Sequence, residues 1–450
     1  MSQADYNTLL DTIRNMIQEK AYKDLESVIG ELHPADLADL IEHLESEERL
    51  DVFKLLASEK AGEVLKEMSP PIQESLTHQL DNETLAHILN EVNSDDATDI
   101  VSHLSRERAQ EIIGLVQPQV SQELQKLLGY KTDTAGGIMA LEFVSVNAGS
   151  TIGEAIENIR KKREEVENLY YVWVVDDFGK LVGVVSLKDL VLEPPDRKIK
   201  EIMNPDVISV DVDADQEEVA RIVKQYGLIH IPVVNGQHKL VGRITNDDII
   251  DVIEEEASED MSLMAGVMDQ QIGEVSALKI SKARLPWLLL CLAGELLSAV
   301  IINHFHGSLE KILALSFFIP VVMAMGGSTG NQAATVVIRG LATGDISVIR
   351  TGKRLLVELW VALINGVLCG ILLGIAVSFW LSDPQLGIGV GVSLITVILF
   401  SGSFGASIPF VLRKLNTDPA LAAGPFITTS NDVLGLLIYL SIITHFLVTG

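Results

Sequence analysis

The chain has 450 residues and a formal net charge of −28, and neither its charge nor its apolar residues are evenly spread. Seven acidic and ten basic residues lie from position 276 onward, so 55 acidic and 24 basic residues precede it. A surplus of that sign repels nucleic acid and anionic lipid and draws cations, while the only two cysteines, Cys291 and Cys369, both in apolar stretches, suggest neither a disulfide framework nor a zinc site.

The amino terminus, MSQADYNTLL, lacks a basic region followed by an apolar core, so it does not read as a cleaved signal peptide, and the first 275 residues are expected in the cytosol. Residues 32–116 repeat every twelve positions, at Leu32, Leu44, Leu56, Met68, Leu80, Val92, Leu104 and Val116. Within each interval an apolar pair follows: Leu40 with Ile41, Val52 with Phe53, Val64 with Leu65, Ile88 with Leu89, Ile100 with Val101 and Ile112 with Ile113. Leu76 with Thr77 weakens the pattern. Short helices punctuated at Pro34, Ser58, Pro70, Asp81 and Ser94 would stack such faces into a superhelix. This predicts an all-α acidic domain over 1–130, with Glu59, Asp95, Asp96 and Asp99 on its outer surface, where they are candidates for cations.

A duplication follows. Ile138-Met139 and Val144-Ser145-Val146 recur as Ile202-Met203 and Ile208-Ser209-Val210, and YVWVVDDFGKLVGVVSLKDLV (171–191) recurs as HIPVVNGQHKLVGRITNDDII (230–250). Each copy reads as a helix, β-branched strands, a glycine turn and a second helix capped by Ser186 or Thr245. The pair, over 131–253 with halves near 137–195 and 199–253, resembles a tandem of α+β CBS domains. That resemblance implies a regulatory module sensing adenine nucleotides or ions, which makes ATP a candidate ligand; against it, Gly227-Leu228-Ile229 is apolar where a polar residue could meet a nucleotide. An acidic connecting helix is expected over 247–278. At 3.6 residues per turn Asp248, Asp251 and Glu255 share one face, and Asp248, Glu255 and Glu259 a slightly wider one. Like charges so spaced destabilise a helix unless a cation screens them.

From residue 279 the chain reads as an all-α transmembrane domain. Five runs, near 285–304, 313–338, 355–381, 386–411 and 421–448, are long enough for a hydrocarbon core of about 30 Å. Lys279, Lys282 and Arg284 precede the first, Arg339, Arg350, Lys353 and Arg354 separate the second from the third, and Arg413 and Lys414 follow the fourth. An inside amino terminus puts all basic residues but Lys311 on the cytoplasmic side and the carboxyl terminus outside. The second run contains GGSTGNQAAT (326–335) and the fifth FITTSNDVLG (426–435), with Asp432 inside apolar sequence. An intramembrane carboxylate normally faces a water-filled cavity or a partner; Glu295 and Glu358 are further acids at membrane or interfacial depth. Mg²⁺ keeps several waters and binds through one or two carboxylates and neutral oxygens, so a pore built from Asp432 with Asn331, Thr335, Thr428 and Asn431 suits it. His304 and His306 read as an interfacial loop rather than a ligand pair.

This order of parts resembles the MgtE family of Mg²⁺ transporters and channels over practically the whole chain, GGSTGNQ and SNDVLG being the specific part. The resemblance implies a homodimer with a pore between subunits in the bacterial inner membrane, and Mg²⁺ bound by Asp432 beside Asn331 and Gly327. It also implies a gate closed by cytosolic Mg²⁺ at Asp95, Asp99, Asp215, Glu217, Asp248, Asp251, Glu256, Glu259, Asp260 and Asp418. Charge and spacing add Glu59 and Glu255 to those metal candidates. Asn431, in an SND sequence where LSD or LTD is the family's type, leaves the choice among Mg²⁺, Mn²⁺ and Co²⁺ open. The alternatives are transport of another divalent cation, CBS-regulated efflux, or a sensor merely anchored by its helices. A membrane metalloprotease is opposed by the lack of any H-E-x-x-H motif among the ten histidines.

Overall fold

Eight helices of the amino-terminal domain begin twelve residues apart: α3 (Pro34–Glu42), α4 (Ser46–Phe53), α5 (Ser58–Lys66), α6 (Pro70–Gln79), α7 (Asn82–Leu89), α8 (Ser94–Ser102), α9 (Arg106–Ile113) and α10 (Pro118–Leu127), after α1 (Gln3–Gln18) and α2 (Tyr22–Glu31). The computed structural model that shows this describes residues 3–162, 169–267, 277–343, 351–415 and 417–448. They fall into two units, Met1–Glu254 and Glu255–Gly450.

Local chemistry sets the helix starts. Proline opens α3, α6 and α10, where its missing N–H costs nothing, and Asp81 and Ser105 cap α7 and α9. Helices two apart pack together, α3 on α5, α5 on α7 and α7 on α9 in one row, α4 on α6, α6 on α8 and α8 on α10 in the other. The predicted apolar pairs fill the space between the rows, with Ile113 partly buried at one edge. Thr77 keeps the repeat because its hydroxyl donates to the Gln73 carbonyl at 2.7 Å, so a buried polar group is satisfied within its own helix.

Each half of the duplication forms a three-stranded sheet. The first contains β1 (Ser145–Asn147), α11 (Ile152–Lys161), β2 (Tyr171–Val175), β3 (Leu181–Ser186) and α12 (Leu187–Leu192). The second contains β4 (Val210–Asp211), α13 (Gln216–Tyr226), β5 (His230–Val234), β6 (Leu240–Thr245) and α14 (Asn246–Ala265). In both, the first strand runs parallel and the third antiparallel to the middle one, with Ser186 opposite Tyr171 and Thr245 opposite His230. The repeated Ile-Met segments are exchanged. Ala140 and Arg243 trade backbone hydrogen bonds of 2.8 and 2.9 Å, and Val184 and Asn204 trade bonds of 3.0 and 2.8 Å. Met139 lies where a Cβ on Gly242 would stand, and Met203 where one on Gly183 would stand. Each half therefore completes its partner's sheet.

The acidic helix expected to run to 278 ends at Ala265, because Gly266 takes a left-handed φ of 71°. Residues 268–276 lie outside the described residues, as does Arg350.

Among the described residues, five helices in the second unit are long and apolar enough to cross a membrane: Ile280–His304, Leu313–Ala342, Thr351–Leu381, Pro384–Lys414 and Pro425–Phe446. They correspond to α15 (Ala277–His304), α17 (Ile319–Ala342), α18 (Thr351–Leu381), α19 (Pro384–Lys414) and α20 (Pro425–Ile443), with the short α16 (His306–Lys311) after α15. The fifth span starts at Pro425 rather than at 421, because Pro419–Ala422 form a 3-10 turn and Gly424 adopts φ 60°. A side chain on Gly424 would collide with the Met264 carbonyl. Leu263 and Met264, at the end of α14, pack with Ala334, Ile338, Ala420, Ala423 and Ile427. The helix end is thus seated against the start of α20.

Candidate ion-binding sites

Within the membrane unit, α17 and α20 bring most of the predicted pore residues together. Gly327, Asn331 and Thr335 recur every four residues and so share a face of α17, as Thr428 and Asp432 do on α20. A Cβ on Gly327 would touch the Thr428 methyl at 3.5 Å, and the Gly424 N–H donates to Asn331 Oδ1 at 3.2 Å. The start of α20 thus rests on the Asn331 side-chain amide. Asp432 is partly exposed, and its carboxyl group faces that of Glu295 on α15. Their approach is set one residue away, where Gly294 leaves room for Thr429.

Asn431 departs from expectation. It is fully buried, turned by one residue away from Asp432, and it packs against Gly330 of α17 with neither amide atom hydrogen-bonded. The reason is helical geometry: residues one apart point about 100° apart, so Asn431 and Asp432 cannot line the same surface. Glu358, the third intramembrane acid, is buried and paired with Arg354. His306 pairs with Glu310 at 3.1 Å and His304 meets the ring of Phe305; rather than lying in a loop, His304 ends α15 and His306 opens α16. The two cysteines are free.

In the first unit the acids converge at one place. Asp95, predicted to lie on the outer surface, is instead buried at the start of α8. The helix start is held by Glu142, which accepts from the Ser94 N–H at 3.0 Å and the Ser94 hydroxyl at 2.8 Å. Burial, followed by Asp248, Asp96 and Glu142, pushes the Asp95 carboxyl well above the usual range. Asp96 is pushed up to about 6 by burial, against the pull of Lys66 and with repulsion from Asp248, Asp247 and Glu142. Asp248 is raised by burial although it accepts from both the Thr245 N–H and hydroxyl. Asp251 is raised by burial and then by Asp248 and Asp247. Lys66 stands among them, its Nζ 3.8 Å from Asp96. Burial opposes its charge, yet Asp96, Asp247, Glu67 and Asp95 hold its pKa above the ordinary value.

Glu59, Asp99, Asp215 and Glu217 are exposed, and none is among the charges acting most strongly on Asp95. Asp215 caps α13 by accepting from the Glu217 N–H at 2.9 Å. In the second unit Asp260 is raised to about 6 by burial, then by Asp418 and Glu256. Asp418 caps its own turn, accepting from the Ala420 N–H at 2.7 Å. Glu255 and Glu259 are exposed and Glu256 is partly buried. Among the described residues no three acid, histidine or cysteine side chains already converge on a metal position. The donor chemistry nevertheless suits a hydrated hard cation, which needs only one or two carboxylates and retains water for the rest. Sequence reasoning passed over Lys66 and Glu142 because a lone lysine and a loop glutamate carry no periodic pattern.

Three family models match the chain: a divalent cation transporter model, MgtE, over residues 319–442; the MgtE intracellular N domain over 32–133; and the CBS domain over 135–195 and 199–255. The chain is 38% identical to the magnesium transporter MgtE of Thermus thermophilus, covering 96% of this chain and 97% of that one. It is 34% identical to the magnesium transporter MgtE of Bacillus subtilis, covering 98% of each. A crystal structure of the cytosolic domain of the Mg²⁺ channel MgtE in complex with ATP matches with 38% identity and a TM-score of 0.52, over 54% of this chain and 99% of that one. The soluble part of a magnesium transporter matches with 29% identity and a TM-score of 0.51, over 56% and 99%.

Proposed function

Because the chain belongs to the MgtE family of Mg²⁺ transporters and is a multi-pass membrane protein, we propose that it takes up Mg²⁺ across the bacterial inner membrane through a pore at Asp432 and is closed by cytosolic Mg²⁺. The observation that carries this reading is the pairing of Asp432 with Glu295 at membrane depth, next to the Gly327, Asn331 and Thr428 surface. Two carboxyl groups and neutral oxygens suit an ion that sheds its waters reluctantly. A homodimer would double this set around a shared axis, and the amino terminus would be cytoplasmic.

Closure by Mg²⁺ follows from charge. Asp95, Asp96 and Asp248 are held together although burial and mutual repulsion oppose their ionised forms. A divalent cation binding there favours the compact arrangement by its difference in affinity for the two states. α14 carries Asp247, Asp248 and Asp251 near its start, and Leu263 and Met264 near its end, beside the first residues of α20. Movement of that helix would therefore reach the Gly424 and Asn331 contact. Exposed Glu59, Asp99, Asp215, Glu217, Glu255 and Glu259, with Glu256, Asp260 and Asp418, would bind further ions as the charge is neutralised.

ATP at the CBS pair is a second reading, supported by the related cytosolic domain whose structure holds ATP. Proteoliposomes loaded with a Mg²⁺-sensitive dye test the main proposal: flux into them that is lost in Asp432→Ala supports it. Robust Mn²⁺ flux without Mg²⁺ flux would overturn the choice of ion.

A further inference from the structure

Between α17, α18 and α19 lies a cavity of about 340 Å³, lined among others by Gln332, Val336, Arg354, Val357, Glu358 and Asn365. It belongs to neither ion site. Arg354 is in the first turn of α18, and Arg339 is in the last turn of α17, so both lie toward the same membrane face. Asn365 is eleven residues further along α18, about 16 Å deeper. The lining thus passes from charged at interfacial depth to neutral and apolar below.

The charges are specific. Among the described residues Arg354 makes one hydrogen bond, to Glu358, and its Nε is buried without a partner. Guanidinium has five N–H donors, so this arginine retains capacity for an anion. Glu358 is buried and neutralises Arg354, which disfavours a free cation in the cavity and leaves a site with no net charge. Val336 and Val357 are about half exposed, offering an apolar flank that continues to the outside of the helix bundle.

We propose that this cavity holds the headgroup of a phosphatidylethanolamine molecule, with the phosphate on Arg354, the primary ammonium on Glu358, and the acyl chains along Val336 and Val357. A zwitterion matches the charge pair without adding net charge. Phosphatidylglycerol would bring an uncompensated anion beside Glu358, and the ammonium of phosphatidylcholine has no N–H to donate.

The test is the thermal stability of the full-length protein in detergent, titrated separately with phosphatidylethanolamine, phosphatidylcholine, phosphatidylglycerol and chain-free glycerophosphoethanolamine. The expected result is a rise in Tm of several degrees with the first alone. That selective rise should vanish in the double variant Arg354→Met, Glu358→Met, which removes both charges together, and in Val357→Trp, which fills the cavity and leaves the pair intact. Should the double variant fail to fold, Val357→Trp alone carries the test. Equal shifts from any other additive, or a selective rise that survives in Val357→Trp or in a folded double variant, overturn the proposal.

Discussion

Glu295 and Asp432 turn their carboxyl groups toward each other across the contact of α15 with α20, at a point where Gly294 and Thr429 let the two helices approach. If both hold the transported ion, they differ from Asn431, which is buried against Gly330. Asp432→Ala should abolish Mg²⁺ flux in proteoliposomes. Glu295→Gln should lower it about tenfold, the size of ~1.4 kcal/mol of lost ion stabilisation. Asn431→Leu should reduce the yield of folded protein more than the flux per folded molecule. Wild-type flux in Glu295→Gln would remove that residue from the site.

Lys66 places a fixed ammonium beside Asp96 in the cytosolic acid cluster. Lys66→Met deletes one positive charge there, so the cluster repels itself more strongly and responds to cations more steeply. Limited proteolysis of the full-length protein should show more cleavage without Mg²⁺ and half-protection at a several-fold lower Mg²⁺ concentration. An unchanged protection curve would mean that Lys66 is a surface ion pair worth little.

Acid should partly replace Mg²⁺. Asp96 has a folded-state value of about 6, above the ordinary aspartate value of 3.8, so protonation favours the folded cluster. That contribution is complete below about 3.8 and lost as pH rises through 6. Asp95, Asp248 and Asp251 shift in the same direction. His230 acts oppositely: burial, then Arg243, lowers it to about 4, so its contribution is complete above 6.5 and lost as pH falls toward 4. Hydrogen exchange from pH 7.5 to 5 without Mg²⁺ should show α8 and the start of α14 gaining protection, with saturating Mg²⁺ removing the change. His230→Gln should leave that gain in place and abolish the acid loss around β5.

Gly424 is where the end of α14 meets α20. Gly424→Ala places a side chain against the Met264 carbonyl in a backbone conformation that costs on the order of 1–3 kcal/mol outside glycine. Flux should no longer fall when Mg²⁺ is raised on the cytosolic side, while Mg²⁺ still protects residues 1–254 from protease. Normal inhibition in this variant would rule out transmission through that contact.

The amino-acid sequence by itself determined the twelve-residue helix spacing, the duplicated sheet modules, the five spans and the isolation of Asp432 in apolar sequence, because each depends on a period or a run that neighbours in the chain share. It also marked the acids of α14, though not where that helix stops: Gly266 ends it, and a single glycine in the apolar run that follows the acids carries little warning. What only the tertiary structure decided are the meetings between distant segments. Asp95 has the composition of a surface acid but is enclosed when α8 meets Glu142 and α14, and Met139 and Met203 cross to the opposite repeat. Glu295 finds Asp432, and Asn431 turns to Gly330. Periodicity names the face on which a side chain lies; packing determines what that face meets, and for a buried carboxylate the neighbour governs its charge and its use.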